Sequence, residues 1–117
     1  MSRKTVIYHN PRCSKSREAL KLLQENGVEP QIVEYLKTPP DADTLDEILT
    51  QLDMEPRALM RRKEAPFKEL GLDDPDLSRR ALIAAMVENP ILIERPIYRK
   101  DGETRLGRPP EQVLEIA

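Results

Sequence analysis

Apolar positions change their spacing several times along the chain, and each change marks an element. Residues 4–8 read as a short strand ending at Tyr8, followed by the polar loop His9-Asn10-Pro11-Arg12. A helix is predicted from near Cys13 or Ser14. Ala19, Leu20, Leu22 and Leu23 form its apolar stripe, and Asn26-Gly27 stops it. Residues 31–36 then alternate as a strand does, through Ile32, Val33, Tyr35 and Leu36. The first third is therefore a β-α-β unit. Its first loop carries a Cys to the start of a helix at the carboxyl end of a strand, where ligands sit in open α/β sheets.

The middle of the chain is helical in pattern. Thr38 is the expected cap of a helix with Pro39 in its first turn and Asp41 three residues after the cap. Leu45, Ile48, Leu49 and Leu52 recur at i, i+3, i+4 and i+7, the spacing of a core-facing stripe. Shorter helical pieces are predicted over 56–61 and 66–70. Ser78 is expected to cap another helix, with Leu82, Ile83, Met86 and Val87 inward and Asn89-Pro90 as its stop. Residues 97–100 and 103–106 flank Asp101-Gly102, a strong hairpin signal. A last helix is expected from about Pro109-Pro110-Glu111, carrying Val113, Leu114 and Ile116. The order β-α-β, helices, β-β-α predicts the α/β class: a thioredoxin-like fold with a small mixed β-sheet and a helical insertion. No repeat or long linker divides residues 1–117, so a single domain is expected.

Composition narrows the function classes. The chain has 117 residues, 38% hydrophobic and 34% charged, with a net charge of -2. That balance excludes a disordered polyelectrolyte and supplies no global basic field for nucleic acid. One Cys excludes an intrachain disulfide, and one Cys with one His cannot complete a zinc site from soft ligands alone. No apolar run approaches the ~20 residues needed to span a bilayer. Met1-Ser2-Arg3-Lys4 leads only into Thr5-Val6-Ile7-Tyr8, too short for a signal-peptide core. The expectation is a monomer of a reducing cytoplasm, without nucleic-acid or membrane partners.

Cys13 is the first candidate for chemistry. The reactive form of a thiol is the thiolate, and the unpaired amides of a helix N-terminus stabilise it and can hold an oxyanion beside it. Arg12, Lys15 and Arg17 add positive charge nearby, and Ser14 and Ser16 add hydroxyls. Lone cysteines are commonly inert apolar residues, but this one lies on no apolar face. His9, the only His, can either raise the local potential or simply bond at a strand end. Arg61, Arg95 and Arg108 are each weak evidence alone. Arg95 and Arg108 both precede a Pro, which restricts their backbone and so their direction. Planar guanidinium groups match tetrahedral oxyanions by offering two N–H donors to two oxygens.

Tyr8-His9-Asn10-Pro11-Arg12-Cys13-Ser14-Lys15-Ser16-Arg17 resembles the active-site segment of glutaredoxin-coupled arsenate reductases, the ArsC type. The resemblance continues through Glu34-Tyr35-Leu36, Arg57 to Lys63, Glu69 to Leu72 and Asn89 to Ile97, and ends at Arg108-Pro109. It covers essentially the whole chain in order. It implies that Cys13 is the nucleophile, with His9 and Ser16 beside it, and that Arg61, Arg95 and Arg108 bind the oxyanion; the Ser14 hydroxyl and the Arg17 charge, read from their nearness to Cys13, are expected to add to that binding. It also implies a cis bond before Pro96, which base rates alone would make trans.

The implied activity is reduction of arsenate to arsenite through a covalent Cys13 adduct. No cofactor is bound; glutathione is the reductant and glutaredoxin the partner. Ser14-Lys15 departs from the Gly-Thr more usual after the cysteine, and Gly107 stands where some members carry a second cysteine. Two alternatives share the fold: an Spx-like regulator, whose usual Cys-x-x-Cys is here broken by Ser16, and a glutathione-linked thiol oxidoreductase. A phosphatase loop of the Cys-x5-Arg kind is excluded, because Ala19 stands six residues after Cys13.

Overall fold

The computed structural model describes residues 5–117. The expected strand start at Lys4 and the segment before it lie outside the described residues. The chain divides into two compact units: one made of the segments up to Thr38 and from Arg95 onward, the other of Pro39–Glu94.

The first unit is a four-stranded mixed sheet with helical cover, a small α/β thioredoxin-like arrangement. Strands β1 (Thr5–His9), β2 (Gln31–Glu34), β3 (Ile97–Lys100) and β4 (Glu103–Leu106) lie in the order β2-β1-β3-β4. β1 runs parallel to β2, with His9 opposite Glu34, and antiparallel to β3, with Ile7 opposite Tyr98. The Asp101-Gly102 turn joins β3 to β4 as the sequence predicts. Both residues take positive φ (49° and 84°), as a two-residue turn of the right twist requires. Helix α1 (Ser14–Glu25) follows β1, and Gly27 at φ 79° ends it. Ile7 and Tyr98 share a core with Ala19 and Leu23 of α1 and with Val113 and Ile116 of the C-terminal segment.

Two expectations in this unit are corrected. The second strand stops at Glu34 rather than 36, and it is an edge strand. Ile32 is therefore 48% exposed and Leu36 39% exposed, while Tyr35 in the following turn is fully buried. Alternation without a partner on the outer side does not dictate which residues are covered. The last element is a 3-10 run, Pro110–Glu115, rather than an α-helix. Both Arg95–Pro96 and Arg108–Pro109 are cis.

The second unit is helical: α2 (Ala42–Leu52), α3 (Ala65–Glu69) and α4 (Arg79–Glu88), with 3-10 turns at Pro56–Leu59 and Pro90–Leu92. α2 packs against α4. The buried stripe of α2 is Leu45, Ile48 and Leu49, and that of α4 is Leu82, Ile83 and Met86. Ser78 caps α4 as expected, accepting from the Ala81 amide at 3.1 Å. The cap of α2 is Asp41, not Thr38; its carboxylate accepts from the Thr44 amide at 2.7 Å. Two consecutive prolines restrict the residues before them to extended backbone, so the helix starts only after both. The carboxylate bond holds Asp41 below the usual carboxylate range. Among the described residues no helix is long and apolar enough to cross a membrane.

Gly107 is required by a close approach rather than by its φ. A Cβ there would lie 2.7 Å from Pro96 Cγ and 3.2 Å from Val113 Cγ1. Gly107→Ala should therefore destabilise the protein by about 1–3 kcal/mol, the usual cost of overpacking a filled site. Urea unfolding of the two proteins measures this.

Candidate active site

The loop between β1 and α1 is built by Asn10. Its backbone N–H donates to Ser16 Oγ at 3.0 Å, its side-chain Oδ1 accepts from the Arg12 amide at 3.0 Å, and its carbonyl accepts from the Cys13 amide at 3.0 Å. An Asn oxygen bonding the backbone two residues on is a self-made turn. It leaves Cys13 in extended geometry (φ -93°, ψ 123°) at the N-cap of α1. Arg17 braces the same loop by donating from Nη1 to the Pro11 carbonyl at 2.9 Å.

Cys13 is a half-buried free thiol. Burial pushes its pKa up. Against this, the Ser16 amide, the nearby Arg95 guanidinium and the Lys15 amide all favour the thiolate, and together they hold the thiol below its ordinary range. These two amides lie in the first turn of α1, the donors that a helix start leaves unpaired.

Ser16 is fully buried. Its Oγ lies 2.6 Å from His9 Nδ1 and accepts from the Asn10 amide; with the ring proton on Nε2, the hydroxyl donates to Nδ1. That assignment needs a neutral His9. Burial lowers the His9 pKa; Glu34 raises it and Arg17 lowers it, with a net lowering.

Arg95 is 9% exposed, and among the described residues its Nε and Nη1 have no hydrogen-bond partner. A guanidinium taken out of water with two donor nitrogens unmatched is costly. Next to a thiol that it helps ionise, it is also a preformed half of an anion site. Arg108 donates from Nη1 to the Arg95 carbonyl at 3.2 Å, which brings the second guanidinium to the same stretch of chain.

Cys13, Ser16, His9, Arg95 and Arg108 are thus linked within the first unit. Ser14 is exposed at the start of α1, and the Arg17 guanidinium is turned onto the loop. Arg61 belongs to the helical unit, where Glu64 holds its Nε at 3.2 Å and Glu94 its Nη1 at 3.1 Å. Sequence reasoning overlooked Asn10, although Asn before Pro with a Cys three residues on is a turn signal that could have found it. Among the described residues no three His, Cys, Asp or Glu side chains gather as metal ligands.

The family model described as the ArsC family matches residues 8–116. The chain belongs to the ArsC family. It is 62% identical over 117 residues to an uncharacterized protein, YfgD, of Escherichia coli, covering 99% of this chain and 98% of that protein. It is 48% identical over 111 residues to an arsenate reductase of Neisseria meningitidis, covering 94% of this chain and 95% of that protein. Among solved structures, an arsenate reductase of Vibrio cholerae superposes with a TM-score of 0.95 at 54% identity over the whole of both chains. The ArsC fold thus has here the thiol loop and the buried arginine described above.

Three predictions rest on this geometry. Arg95→Ala should move the pH midpoint of Cys13 alkylation by iodoacetamide upward, with the two proteins converging at high pH. The folded state binds the thiol proton less tightly than the unfolded state. Stability should therefore rise with pH between the folded thiol pKa and the ordinary thiol value, and Cys13→Ser should flatten that rise in urea titrations. Asn10→Ala should slow alkylation at neutral pH because the loop no longer presents the sulfur to the helix amides.

Proposed function

We propose that this ArsC-family protein is a thiol-dependent arsenate reductase with Cys13 as its nucleophile. The buried Arg95, with two donor nitrogens unpaired beside an activated thiol, carries this reading. The Cys13 thiolate attacks arsenic(V), a sulfur–arsenic bond forms, and one arsenic–oxygen bond breaks with the oxygen leaving as water. Arg95 and Arg108 hold the remaining oxygens and stabilise the charge that builds on them. His9 and Ser16 set the loop and are positioning residues. Ser14 adds a hydroxyl at the rim.

With one cysteine in the chain, the electrons come from outside. Glutathione adds its thiol to the Cys13 adduct, with loss of a second water. Glutaredoxin then attacks the glutathione sulfur, and the sulfur–arsenic electron pair passes to arsenic, giving arsenic(III). Water releases arsenite and returns Cys13. In sum, arsenate and two thiols give arsenite, one disulfide and one water. Such chemistry suits a reducing cytoplasm and a monomer, and needs no resident metal. A thiol oxidoreductase of the same fold would use Cys13 equally well, but would leave the unpaired donors of Arg95 without a task.

Arsenite release from enzyme, glutathione, glutaredoxin and arsenate is the direct test. Cys13→Ser should abolish it; undiminished activity would end the proposal. Arg95→Lys and Arg108→Ala should each lower kcat by about 10²-fold, the size expected for one lost oxyanion donor. Arg61, given an oxyanion role by family resemblance alone, is judged in the same assay through Arg61→Ala.

A further inference from the structure

A groove of about 360 Å³ opens beside the active loop, lined on one side by residues 9–12 and on the other by Glu34, Leu36 and Lys37. Its volume is that of a small-molecule site. It lies at the carboxyl ends of the two parallel strands, β1 and β2, the side of an α/β sheet on which ligands bind. Arg12 immediately precedes Cys13, so whatever occupies the groove sits next to the nucleophile along the chain.

The groups that lower Cys13 are Ser16, Arg95 and Lys15; neither Arg12 nor Lys37 is among them. Two exposed cations, Arg12 and Lys37, frame the groove with one carboxylate, Glu34. Lys37 Nζ lies 3.8 Å from Glu34 Oε1, a weak exposed pair that a ligand opens at little cost. Leu36 and Pro11 give an apolar wall between the charged groups. A bare oxyanion would be repelled by Glu34. A protein partner needs roughly 800 Å² on each side, far more than this recess offers. The pattern of two cations, one anion and a short apolar wall complements a small peptide with two carboxylates and one ammonium.

We propose that this groove binds glutathione, the thiol peptide that resolves the Cys13 adduct: Arg12 and Lys37 hold its carboxylates and Glu34 its ammonium. The proposal rests on the reading of Cys13 as the arsenate nucleophile, and it adds the seat of the second substrate. Glutathione bound there enters the reaction beside the loop rather than by random collision, so its binding is separable from that of arsenate.

S-methylglutathione, which keeps every charge of the peptide but has no thiol, is the probe. Titration into the full chain, followed by calorimetry, should show saturable binding. Arg12→Ala and Lys37→Ala should each weaken it about five- to tenfold, as loss of one charge-assisted contact does. The same variants should raise KM for glutathione by that factor, with arsenate still protecting Cys13 from iodoacetamide. Glu34→Gln should erase the preference for S-methylglutathione over its deaminated analogue. No saturable binding, equal affinity in the substituted proteins, or a rise in KM for glutaredoxin alone would overturn the groove assignment. Failure of arsenate to protect Cys13 in the unsubstituted protein would overturn the nucleophile reading instead, and the calorimetry would still decide the groove.

Discussion

The sulfur of Cys13 lies under two opposed pressures, and the active loop is organised around their balance. Burial favours the neutral thiol. The Ser16 amide, the Arg95 guanidinium and the Lys15 amide favour the anion, and they prevail. Each donor comes from a different piece of sequence logic. The amides exist because a helix begins at Ser14; the guanidinium arrives because the chain returns to the sheet at Arg95. The hydrogen bonds of Asn10 and the Ser16–His9 contact keep the sulfur on those donors. Burial lowers the His9 pKa, which favours a neutral ring beside Ser16.

What the sequence shows plainly is local. The cap position of Cys13, the hairpin at Asp101-Gly102 and the stripes of α2 and α4 all follow from spacing within a few residues. What it hides depends on neighbours distant in sequence. The second strand ends early because it lies at the sheet edge, and the alternation of Ile32 and Leu36 does not reveal which side is covered. Thr38 has the chemistry of a cap but stands before two prolines, and Asp41 takes the role. In the site, Cys13 was legible from its loop. The pairing of Arg61 with Glu64 and Glu94 was not, because Glu94 lies 33 residues away. Arg17 reads as an oxyanion ligand by charge alone, whereas its guanidinium bonds the Pro11 carbonyl.

The packing at Gly107 fits the same economy of sulfur. At Gly107, Pro96 and Val113 already occupy the space of a Cβ. A resolving thiol on this chain has no room at that position.

The sheet that carries the thiol is assembled from the two ends of the chain. β1 and β2 come from its start, while β3, β4 and the Arg95 segment come after Glu94. Pairing β1 with β3 closes a loop of most of the polypeptide, which is slow relative to local helix formation. On the ribosome, the nascent Cys13 lacks the Arg95 guanidinium until roughly four-fifths of the chain has been made. The charge from Arg95 that favours the thiolate is therefore absent from any chain that stops short of that residue.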